Sequence, residues 1–236
     1  MYSKKIGVNI DHVATLRQAR GSKYPDPIHA AFVAECAGAE QIPCHIRCDR
    51  RHVNERDIRL LVATVTTDLN VECAATDEML CLMEELLPHR VTLVPERPDE
   101  ITTEGGLDVA GHLEEISSAV NRLVEAGIRV SLFIDPDLDQ VDAASMDGID
   151  MIELNTANYS EGDPVFELKR LSKAAAVAAG LGIEVAAGHG LTHLNLRNLV
   201  EAVPEIIEYN IGHSIISRSI FVGLDRAVGE LVEIIN

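Results

Sequence analysis

Glu72 and His45 are the side chains whose setting most demands a chemical explanation. Glu72 interrupts Leu69-Asn70-Val71-Glu72-Cys73-Ala74, a run that otherwise reads as a buried β-strand. Burying a carboxylate there is costly unless it is paired or protonated, which points to a catalytic acid or base. His45 ends the run Ile42-Pro43-Cys44, and an imidazole with an ordinary pKa of about 6.5 both takes and gives a proton near neutrality. Other polar residues close short apolar runs in the same way: Asn9, Asp11 and His12; Arg47; Glu153 and Asn155; His189 between Gly188 and Gly190; and Asn210, Gly212 and His213. Glycine beside these histidines lets backbone N–H groups approach a phosphate closely. A lone histidine or glutamate of this kind is more often a satisfied core residue. Several on one rim would make a site.

The elements that must position them recur regularly. Short runs rich in Val, Ile or Leu at roughly 5–10, 41–46, 69–74, 90–94, 129–134, 150–154, 183–187 and 207–211 read as buried parallel strands. Between them lie helical patterns such as 27–37, 55–65, 77–87, 113–126, 165–179 and 194–202. Eight strand-then-helix units in 236 residues match a (β/α)8 barrel, an α/β fold whose chemistry sits at the carboxyl ends of the strands. A doubly wound open sheet would place a GxGxxG turn after the first strand, where this chain has Asn9-Ile10-Asp11-His12. Residues 1–236 therefore read as a single barrel domain. The polar stretch 95–110 is too long for an ordinary loop and is expected to be a lid.

Charge narrows the ligand class. The chain carries 20 Lys plus Arg against 38 Asp plus Glu, a net charge of -18, which argues against nucleic acid or an anionic membrane as partner. The first 60 residues are the exception, with 10 basic and 7 acidic side chains. Their arginines, Arg17, Arg20, Arg47, Arg50, Arg51, Arg56 and Arg59, suit bidentate phosphate or carboxylate contacts. Arg56 and Arg59 are expected to form ordinary surface ion pairs. The five cysteines lack CxxC spacing, and no HExxH helix is present, so reduced thiols and no metal are expected. No apolar stretch reaches a membrane span, and the start is too quickly polar for a signal peptide, so the expected location is cytoplasmic.

At these same residues the chain resembles the pyridoxine 5'-phosphate synthase family, the ring-closing enzymes of deoxyxylulose-dependent vitamin B6 synthesis. The resemblance covers nearly the whole chain. It is carried by GVNIDHVATLRQARG at 7–21, YPDP at 24–27, HIRCDRRH at 45–52, LVPE at 93–96, TTEGGLDV at 102–109, SLFID at 131–135, AGHGLT at 187–192 and NIGH at 210–213. It implies a (β/α)8 barrel with extra helices, assembled as a homo-octamer. The implied reaction is condensation of 3-amino-2-oxopropyl phosphate with 1-deoxy-D-xylulose 5-phosphate to pyridoxine 5'-phosphate, phosphate and water, without metal or cofactor. Carried over by position, His45 and Glu72 resemble the general bases, His189 the general acid and Glu153 an electrostatic stabiliser. Asn9, Arg20, Gly190, Gly212 and His213 resemble the aminoketone phosphate site, and Asp11, His12, Arg47, His52 and Thr102 the deoxyxylulose phosphate site.

The chain departs from the family pattern at Pro43-Cys44 before His45, at Cys48, at Asn155-Thr156-Ala157 and at Val185-Ala186. Pro43 within a buried parallel strand removes a backbone donor and predicts a local irregularity. Two rival readings are a metal-free barrel isomerase or aldolase acting on one phosphorylated sugar, and a barrel that binds phosphorylated metabolites or partner proteins without catalysis. No Lys stands at a strand end to form an aldolase Schiff base. Joint retention of His45, Glu72 and His189 disfavours a binding-only role.

Overall fold

A computed structural model of the chain describes residues 4–97, 100 and 103–236. Eight parallel strands close on themselves in chain order: β1 (Lys5–Val8), β2 (Gln41–His45), β3 (Asp68–Cys73), β4 (Arg90–Leu93), β5 (Arg129–Ile134), β6 (Ile149–Asn155), β7 (Glu184–Gly188) and β8 (Ile206–Ile211). This is the (β/α)8 barrel expected, with strand bounds within three residues of those read from the sequence. Among the described residues no helix is long and apolar enough to cross a membrane.

The anticipated helices are α2 (Pro27–Cys36), α3 (Glu55–Thr64), α4 (Asp77–Leu86), α5 (Leu113–Glu125), α8 (Pro164–Gly180) and α9 (Leu196–Ala202). Local chemistry explains their starts. Asp26, Asn54, Thr76 and Asp163 each accept a hydrogen bond from a first-turn N–H, and Asn54 and Asp57 form a reciprocal capping box. Further helices α1 (Asp11–Arg20), α6 (Leu138–Ala143), α7 (Ala157–Glu161), α10 (His213–Val222) and α11 (Leu224–Ile235) fill the connections and follow the last strand. α1 rides over the rim. Its Arg17 makes a buried two-pronged ion pair with Asp57 of α3, at 2.7 Å for each contact.

Strand register separates two faces. Ile6, Ile42, Val71, Val91, Leu132, Ile152, Val185 and Tyr209 lie on the face covered by helices, and all are buried. The alternate positions face into the barrel, and many are polar: Asn70 and Glu72, Arg90 and Thr92, Ser131, Glu153, Glu208 and Asn210. Thr92 Oγ1 donates to Asn70 Oδ1 at 2.9 Å, and Arg90 reaches Glu208 on the far wall. The continuous apolar strands expected from sequence are thus alternating strands with a hydrophilic interior. Pro43 behaves as anticipated: its carbonyl accepts from Ile10 N on the β1 side, and β1 pairs with β2 at the single register position Gly7–Gln41. The missing N–H points to the strand with which pairing is reduced.

Residues 98, 99, 101 and 102 of the expected lid lie outside the described residues. Its described parts are tied to strand ends. Glu96 bonds to His45, the last residue of β2, and Glu100 to Arg47 just beyond it, and Leu107 N donates to Phe133 O at 2.7 Å.

Candidate active site

The carboxyl ends of the strands gather most of the residues singled out in the sequence. His45 and Glu72 are direct register partners on β2 and β3, so their side chains leave the sheet on the same face. The first strand delivers Asn9, whose Oδ1 accepts from Asp11 N and whose Nδ2 donates to Asp11 Oδ2, both at 2.9 Å. The free oxygen of Asp11 accepts the backbone N–H of His45 at 2.8 Å. One short polar turn therefore fixes the start of α1 and the end of β2 together. His12 stacks edge-on against His213 with ring centroids 5.1 Å apart, and His52 stands 6.1 Å from His45. Burial lowers the pKa of both His12 and His52, against the pull of Asp11.

Three carboxyls crowd this mouth, and they do not all ionise together. Burial pushes the Glu72 carboxyl well above the usual range; the nearby Glu153 and Asp11 charges add to this, while a hydrogen bond from Asn9 opposes it. Glu153 is also buried, and desolvation raises it to about 7 although Asn210 Nδ2 donates to it at 2.7 Å. Glu208 adds to that rise and Arg90 works against it. Backbone space is cut to fit these groups. A Cβ on Gly188 would lie 2.0 Å from Glu153 Oε1, and one on Gly7 would lie 2.0 Å from Asn210 Oδ1.

Because Glu153 holds its proton more tightly folded than unfolded, it contributes stability that is present below about pH 4.5 and lost as pH rises through about 7. Urea denaturation of the wild type and Glu153→Gln at intervals across that window is expected to show the wild type losing ground to the variant, by at most about 1.4 kcal/mol per pH unit. A difference that stays flat with pH would contradict the raised pKa.

His189 follows β7 in a left-handed backbone conformation, φ 78°. Thr156 Oγ1 holds it there by donating to Gly188 O at 2.7 Å and His189 O at 2.6 Å. Its ring tilts against Phe133 of β5, with burial lowering its pKa and Glu161 opposing. Gly190 and Gly212 are positions where side chains would collide, with Ser160 and Asn9 respectively. Arg47 is buried, donating to Glu100 Oε1 at 3.0 Å and to Arg97 O at 3.1 Å.

One expected residue is not brought into contact with this cluster. Arg20 is exposed at the last position of α1, with no hydrogen bond to the cluster among the described residues. Thr102 lies outside the described residues. Conversely, reading the sequence missed the roles of Glu96, Glu100, Arg90 and Glu208. Glu96 sits within the LVPE match, but nothing in its spacing announces a partner 51 positions away. Arg56 and Arg59 do form surface ion pairs, with Asp26 and Glu85. Among the described residues no group of three or more His, Cys, Asp or Glu side chains could hold a metal ion, and all five cysteines are free thiols.

Residues 6–236 match the family model described as pyridoxal phosphate biosynthesis protein PdxJ. The chain belongs to this family. It is 53% identical over 230 residues to the pyridoxine 5'-phosphate synthase of Photobacterium profundum, covering 96% of this chain and 94% of that one. It is 52% identical over 236 residues to the synthase of Geotalea daltonii, covering 98% of each. Solved structures outside the PdxJ family share the barrel. Tryptophan synthase from M. tuberculosis aligns with a TM-score of 0.67 at 11% identity, over 100% of this chain and 94% of that one. N-(5'-phosphoribosyl)anthranilate isomerase from Pyrococcus furiosus aligns with a TM-score of 0.66 at 12% identity, over 98% of each. At such identities the likeness is one of fold.

Proposed function

We propose that the chain is a pyridoxine 5'-phosphate synthase, condensing 3-amino-2-oxopropyl phosphate with 1-deoxy-D-xylulose 5-phosphate to pyridoxine 5'-phosphate, phosphate and water. The observation that carries this reading is identity above one half, over nearly the full length, to proteins of that name. His45, Glu72 and Glu153 at one barrel mouth supply the chemistry it needs.

Joining an amine to a ketone and then closing a ring requires repeated proton transfers and loss of water, hence several acid and base groups around one cavity. Glu72 and His45 act as bases, His189 as acid, and Glu153 steadies positive charge. Burial favours the protonated forms of Glu72 and Glu153 at this mouth. An arriving ammonium would supply the positive charge that lets Glu72 ionise and begin accepting protons. Asn9, Gly190, Gly212 and His213 would form the aminoketone phosphate site, joined by Arg20 if α1 shifts or a second copy supplies it. Asp11, His12, Arg47, His52 and Thr102 would bind deoxyxylulose phosphate. The segment 95–110 would close as a lid that keeps bulk water from a hydrolysable imine.

The proposed catalysis uses no metal or organic cofactor. The partners are phosphorylated small molecules rather than nucleic acid or membrane, and the assembly is a cytoplasmic homo-octamer. Incubation of pure protein with both substrates is expected to release phosphate and form pyridoxine 5'-phosphate. Turnover of one phosphorylated sugar without the amine would favour the isomerase or aldolase alternative. No product between about pH 6 and 9 would reject the reading.

A further inference from the structure

Glu96, just after β4, reaches back across the mouth to the end of β2. Its carboxylate is largely enclosed, with 9% of the side chain exposed. One oxygen, Oε1, lies 3.0 Å from His45 Nε2, and the other, Oε2, accepts the Cys48 backbone N–H at 3.0 Å. Burial alone would push this carboxyl up, but the hydrogen bonds from His45 and Cys48 bring it below the usual glutamate range.

An ionised carboxylate has lone pairs and no proton. Cys48 N–H can only donate, so Oε2 is committed as an acceptor. Oε1 is likewise acceptor-only, so His45 Nε2 must carry the hydrogen. Whenever the ring is neutral its lone pair is then on Nδ1, which has no hydrogen-bond partner among the described residues. The backbone end of the same residue is held by Asp11. The imidazole is thus fixed at both ends, with one nitrogen left for substrate.

We propose that Glu96 is a positioning residue that holds His45 in the Nε2–H tautomer and makes Nδ1 its proton-accepting atom. This rests on the reading of His45 as a base of the synthase reaction.

Glutamine at position 96 keeps the shape but has a single carbonyl oxygen. If that oxygen accepts from Cys48 N–H, the amide NH2 faces His45 Nε2 and draws the ring proton to Nδ1. In the reverse orientation two donors meet at Cys48. Aspartate keeps two acceptors on a stem one methylene shorter.

The test combines histidine-labelled 15N NMR on the full-length protein, with the His45 signals assigned by their loss in His45→Asn, and steady-state kinetics. The wild type is expected to show a protonated Nε2 and an unprotonated Nδ1. Glu96→Gln is expected to move the proton toward Nδ1 and to lower kcat about 10²-fold or more, within the range general base catalysis supplies. KM for both phosphorylated substrates should stay within about threefold, as expected when an interaction specific to the transition state is lost. Glu96→Asp should restore the wild-type tautomer and much of the rate. An active wild type and an inactive His45→Asn, together with a Glu96→Gln protein of unchanged tautomer and normal kcat, would overturn the proposal. A Glu96→Gln protein with exchanged tautomer and undiminished turnover would overturn the role of Nδ1. A fully active His45→Asn would instead reject His45 as base.

Discussion

Replacing Glu72 by Gln is expected to remove nearly all turnover, by about 10² to 10⁴-fold, while leaving affinity for phosphorylated ligands within about tenfold. The side chain stands beside His45 in register, and burial, with the charges of Glu153 and Asp11 adding to it, pushes its carboxyl well above the usual range and so favours the protonated form. Gln imitates a neutral carboxyl in shape and polarity, so the fold should tolerate it. A buried carboxyl that must lose its proton to work is a burden on stability at neutral pH. Glu72→Gln should therefore be at least as stable as the wild type there, and relatively more so as pH rises. What the amide lacks is the ability to accept a proton and pass it on. Single-turnover kinetics and ligand titration separate the two effects. Near-normal turnover would remove Glu72 from the proposed mechanism, and a large loss of phosphate-ligand affinity would reassign it to binding.

The strand order, the barrel and the mouth were legible in the sequence because buried parallel strands and amphipathic helices have different periods, and because polar residues ending a strand stand out. His45 was found this way, at the last position of β2. The interior was not legible. Leu69-Asn70-Val71-Glu72-Cys73-Ala74 reads as an apolar run with one anomalous Glu, yet register shows Asn70 and Glu72 on one face and Leu69, Val71 and Cys73 on the other. The period of two was present, but the rule that parallel strands are apolar on both faces hid it. Partnerships were hidden for a different reason. Glu96 meets His45, Glu100 meets Arg47 and Arg90 meets Glu208 across 51, 53 and 118 residues respectively, and no local pattern carries such information. Arg20 rests on the family motif alone: the structure leaves it exposed at the end of α1, and its place at a phosphate belongs to the proposal.

Arg90→Ala is expected to destabilise the protein by about 3–5 kcal/mol, the cost of stranding one member of a buried ion pair. Arg90 and Glu208 are 3% and 2% exposed, which leaves water no route to screen a stranded charge. Arg90 NH1 approaches both Glu208 oxygens, at 3.1 and 3.2 Å, from the opposite wall of the barrel. Removing the guanidinium leaves Glu208 uncompensated and 3.5 Å from Asn210 Nδ2, the same group that donates to Glu153. Arg90→Met with Glu208→Leu removes both charges and fills the space, so it should recover most of the loss, because replacing such a pair with apolar residues is often neutral. Urea denaturation of the single and double variants measures this directly, and a single-variant loss under about 1 kcal/mol would show that the pair is not stranded as described. The consequence reaches the mouth. Arg90 lowers and Glu208 raises the Glu153 pKa, so Arg90→Ala should drive that carboxyl higher still and keep it neutral where the proposed mechanism needs its charge, whereas the double variant removes the two opposing influences together. If the pair below the mouth tunes Glu153, turnover should fall further in the single variant than in the double, in the same order as stability.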